Sequence, residues 1–104
     1  MSEIALFFAG AFLCNAFPHL AAGLRGEPFP TPFAKPRGIG HSSPLVNFGW
    51  GSFNLAAGLV LLLRNPVQEM LSLDTGVLTA GFLLLGAHLA RHFGKVREGQ
   101  ATRG

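Results

Sequence analysis

Residues 27–54 read EPFPTPFAKPRGIGHSSPLVNFGWGSFN, and the change of pattern inside this stretch decides the fold. Pro28, Pro30, Pro32 and Pro36 each push the preceding residue towards extended backbone, so Pro28 to Phe33 reads as polyproline-like. Gly38-Ile39-Gly40 supplies a tight turn. Ser43-Pro44 then opens a helix, with Ser43 as its cap and Pro44 in its first position. From Leu45 onward the spacing is helical. Asn47, Gly51, Asn54 and Gly58 stand at offsets of 0, 4, 7 and 11 and form one polar, small-residue seam in an otherwise apolar run. Small residues let helices approach closely in lipid, and asparagine bonds across the contact.

Working outward, apolar runs lie on both sides. The first covers about residues 4–24, the second about 45–63 and the third about 75–93. A helical span needs about 20 apolar residues, so three spans use most of a 104-residue chain. Only 12% of residues are charged, against about 25% in a soluble domain. The expected fold is therefore an all-α integral membrane protein of three transmembrane helices. A Pro/Gly-rich cytoplasmic loop (25–44) joins the first two, and a basic, mobile tail (94–104) follows the third. Asp74 is the expected cap of the third helix, and Val67 to Leu71 reads as one helical turn before it. The third helix is expected to pack through Gly76, Ala80, Leu83, Ala87 and Ala90, with His88 and His92 on a second face beside Gly81 and Leu85. The single Cys14 rules out a disulfide within the chain. The opening Met1-Ser2-Glu3 lacks the positive start of a signal peptide.

Lysines and arginines orient short-loop membrane proteins. Arg25, Lys35 and Arg37 fall in the first loop, and Arg91, Lys95, Arg97 and Arg103 in or near the tail. Only Arg64 falls in the second loop. The chain is therefore expected in a bacterial-type inner membrane, N-terminus outside and C-terminus cytoplasmic. The positive charge serves topology and not nucleic acid. In that orientation the polar residues of all three spans share the cytoplasmic half. Asn15, His19, Asn47, Trp50, Asn54 and His88 are expected to line one polar pocket. Pro18 frees a carbonyl nearby. Lys35, Arg37, Ser42 and Ser43, at the start of the second helix, form a candidate site for an anion or an anionic lipid headgroup. His19, His88 and His92 form a candidate set for a metal or haem iron.

The length is similar to that of small multidrug transporters, but those have four spans and an acidic residue in the first. No Asp or Glu falls inside these three spans, so the activity is not carried over. In size and histidine content the chain also resembles three-span anchor subunits of respiratory complexes, a likeness of architecture alone. The leading expectation is an accessory or assembly subunit of a membrane complex, or a homo-oligomer, and not an enzyme. A haem- or metal-binding anchor using His19 with His88 or His92 is the second reading. An oligomeric small-solute transporter or channel is the third. Partners are the bilayer, other membrane subunits or further copies of the chain.

Overall fold

The computed structural model describes residues 2–103, and side chains only as far as residue 100. Three helices make up the chain: α1 (Ser2–Leu24), α2 (Pro44–Arg64) and α3 (Leu73–Arg103). Each is long and apolar enough to cross a membrane, which suggests a multi-pass membrane protein. Large side chains such as Leu45, Phe53, Leu59 and Leu84 stay exposed on the outer surface, where lipid, unlike water, imposes no penalty.

The middle position belongs to α1. Both α2 and α3 pack against it and not against each other. Close approach comes from glycine. A Cβ on Gly10 would collide with the Leu78 carbonyl of α3, and one on Gly81 with the Phe7 carbonyl of α1. On the other flank, Gly51 lies against Leu20, and Gly58 against Leu13. The buried residues of α2 are Asn47, Gly51, Asn54 and Gly58, the seam read from their spacing. The expected seam of α3 is corrected. Gly76, Ala87 and Ala90 are exposed and Leu83 is 62% exposed, whereas Gly81 and Val96 are buried. Gly81 wins because it permits backbone contact with α1, while an alanine Cβ would hold the helices apart.

Ser43 caps α2 as expected, its hydroxyl accepting from the Val46 N–H at 3.2 Å. For α3 the cap is Ser72 and not Asp74. Its hydroxyl accepts from the Thr75 N–H at 3.3 Å and its carbonyl from the Gly76 N–H at 3.1 Å. Residues 67–71 form no helical turn. The expected tail is instead the continuation of α3 to Arg103. The side chain of Arg103, counted in the charge balance, lies outside the described residues.

The loop between α1 and α2 is tied down by its own backbone. Phe29 and Ser42 form an antiparallel bridge, with N–H to carbonyl distances of 3.2 and 3.0 Å. Inside it the buried Thr31 carbonyl accepts from the N–H groups of Ala34 (3.1 Å) and Gly38 (2.9 Å). Gly38 sits at φ +68°, where a side chain would be strained. Residues 28–31 carry no helix or turn, with Phe29 in the bridge, and a turn follows at Pro32 and Phe33.

Candidate functional site

Asn15 and His19, one turn apart on α1, both face α2. The Asn15 amide donates to the Asn54 side-chain oxygen at 2.9 Å. His19 Nδ1 lies 2.8 Å from the Asn47 side-chain oxygen. The amide nitrogen of Asn47 donates to three carbonyls, those of Phe29 (3.0 Å), Ser42 (3.2 Å) and Ser43 (3.1 Å). Its oxygen is therefore the acceptor, which puts the His19 proton on Nδ1. Asn54 donates in turn to the Trp50 carbonyl at 2.8 Å. Asn47, Asn54 and His19 are all at least 98% buried. In this interior an unmade bond costs several kcal/mol, and nearly every one is made. The exception among the described residues is the buried indole N–H of Trp50, which has no acceptor.

Aromatic rings close over His19. Phe29 packs edge-on to it at 5.6 Å, and Trp50 and Phe93 each at 6.4 Å. Phe29 and Phe93 themselves lie 4.6 Å apart, joining the loop to α3. His92 Nε2 donates to the Gly38 carbonyl at 2.6 Å, and Gln100 donates to His41 Nε2 at 2.7 Å. These contacts explain why α3 continues past Phe93: the loop gives its last turns something to pack on, a signal that segment-by-segment reading does not carry.

The six expected pocket residues separate into two places. Asn15, Trp50, Asn54 and His88 line a groove of about 310 Å³ that runs over α1 between α2 and α3. Phe8, Ala11 and Phe12 form its floor, and Leu85 and Leu89 complete the α3 wall. His19 and Asn47 lie behind that groove, in the sealed contact between helices and loop. His88 is exposed and stacks on His92, ring centroids 6.4 Å apart.

The three histidines of the candidate metal set do not converge. His19 is committed to Asn47, His92 to Gly38, and His88 lines the groove. Among the described residues no group of three or more His, Cys, Asp or Glu side chains could hold a metal. Around the expected anion site the serines are engaged by the loop. The Ser42 hydroxyl shares a hydrogen bond with Thr31 at 2.6 Å, and that of Ser43 caps α2, while Lys35 and Arg37 are exposed. A site that residue-by-residue reading missed is the cleft between the loop and the end of α3, lined by His41, Arg97 and Gln100. Only the folding of residues 94–100 as helix brings those three together. The chain matches no protein-family model, no curated protein and no solved structure.

Proposed function

We propose that this chain is an accessory subunit of a membrane complex, and that its groove receives a transmembrane helix of a partner. One observation carries the reading: α2 and α3 stand apart on α1, and the gap between them leaves His88 exposed. His88 lies about 22 Å along α3 from Leu73 at 1.5 Å per residue, inside a hydrocarbon layer of about 30 Å. An ionisable side chain facing lipid there is costly. A partner helix offering a polar group to His88, and apolar surface to Phe8, Phe12 and Leu89, removes that cost. The sealed His19–Asn47 contact and the Asn15–Asn54 bond beside the groove serve as helix-to-helix attachments that hold the groove open in a fixed shape.

The cation distribution supports a bacterial-type inner membrane with the loop and the C-terminus in the cytoplasm. A C-terminal reporter is then active only on the cytoplasmic side, and activity on the outer side overturns the orientation. The groove reading is tested with a photoreactive residue at Leu89, on the groove wall, and at Leu83, on the opposite face of α3. A discrete protein adduct from Leu89 alone is expected. Adducts to lipid alone from both positions would remove the partner helix.

A further inference from the structure

We infer that the cleft between the loop and the last turns of α3 is a binding site for the phosphate of an anionic phospholipid headgroup. The cleft has a volume of about 80 Å³, room for a phosphate-sized group and not for an acyl chain. Its rim is polar and its base is not. Arg97, Gln100 and His41 stand around the opening with the exposed Pro28, and Phe29, Pro30, Phe93 and Val96 form the floor. The loop and the helix are joined there by the bond from Gln100 to His41 Nε2 at 2.7 Å. Below it, Phe29 and Phe93 pack at 4.6 Å, and Val96 is only 8% exposed. The cleft is thus built by tertiary contacts and is not a patch of loose surface lysines.

Three physical features select the ligand. Arg97 is exposed and makes no ion pair with a described carboxylate, so its planar fork is free to take two phosphate oxygens at once. An apolar floor beneath a cationic rim matches an amphiphile better than a free inorganic anion, which gains nothing from phenylalanine. Depth agrees: Arg97 lies about 36 Å along α3 from Leu73, past a hydrocarbon layer of about 30 Å and within the headgroup zone. Arg91 and Lys95 stand exposed on other faces of α3 and raise the local concentration of anionic lipid, but they do not line the cleft.

The test uses the full-length protein in a neutral detergent, titrated with phosphatidylglycerol, with bound lipid counted by native mass spectrometry. One tightly held lipid is expected. Arg97→Gln should weaken it about tenfold or more, the loss of one charged bidentate contact. Arg91→Gln, which changes net charge equally on the same helix, should weaken it less than about twofold. A fiftyfold excess of inorganic phosphate should leave the lipid in place. Lipid kept by Arg97→Gln, equal losses in the two variants, or displacement by inorganic phosphate each overturns the assignment. Both residues are exposed, and helicity by circular dichroism is expected to match the parent in each.

Discussion

At the scale of single residues, the Asn47 side chain makes four hydrogen bonds from one buried position. It ties α2 to α1 through His19 and to the loop through Phe29. Removing it leaves the buried imidazole N–H of His19 without an acceptor and takes a second donor from three carbonyls that keep their backbone bonds. Asn47→Ala is therefore expected to lower stability by about 1–3 kcal/mol, the cost of one unsatisfied buried group. Trp50→Phe should do the opposite of what its burial implies. It deletes a donor that has no acceptor, so stability should stay within about 1 kcal/mol of the parent or rise. Denaturant unfolding in detergent checks both, and a Trp50→Phe loss as large as that of Asn47→Ala would show that the indole is bonded after all. The importance of Asn47 was legible in the sequence as one of four seam residues. Its reach to the loop carbonyls was not, because that depends on Phe29 being drawn back against Ser42 by a backbone bridge.

Among the elements, the two helix contacts follow one rule and differed in how readable they were. In α2 the two asparagines alternate with Gly51 and Gly58 on one face, so spacing identified the buried side, while Gly49 and Ala56 off that face are exposed. In α3 glycine and alanine occur on every face. The side is settled by the match of Gly81 to the Phe7 carbonyl and of Gly10 to the Leu78 carbonyl, which needs both helices at once. Gly81→Val places atoms inside that backbone contact and should separate α1 from α3, at a cost of about 3 kcal/mol or more. Gly94→Ala provides the contrast. A Cβ there meets nothing, and alanine is the better helix former, so stability should rise by up to about 1 kcal/mol. Thermal unfolding in detergent separates the two, and equal effects would argue against the packing of α3 described above. The length of α3 was also hidden from the sequence. Residues 94–104 read as a basic, mobile tail, yet their Lys, Arg, Glu and Gln are good helix formers, and the loop supports this part of α3 through Phe29, Gly38 and His41.

For the whole molecule, the three helices, the approximate limits of the first two and the apolar run lengths that suggest a membrane protein were readable from composition and run length alone. A pocket was expected from six polar residues, and the structure divides those residues by purpose: four line an open groove and two lie in a sealed joint. The division follows from α1 standing between α2 and α3, a topology that no single segment encodes. The proposed occupant of this open groove is a transmembrane helix of another subunit. The most direct measurement is the mass of the protein extracted in a mild detergent, compared between the parent and Ala11→Trp. Ala11 forms part of the groove floor, and an indole there would occupy the space of the incoming helix. The parent is expected to run as a complex larger than one chain, and Ala11→Trp as the folded single chain. A Leu83→Trp control, on the exposed opposite face of α3, should leave the complex intact. A parent that runs as a single chain, or an Ala11→Trp variant that keeps its partner, would contradict it.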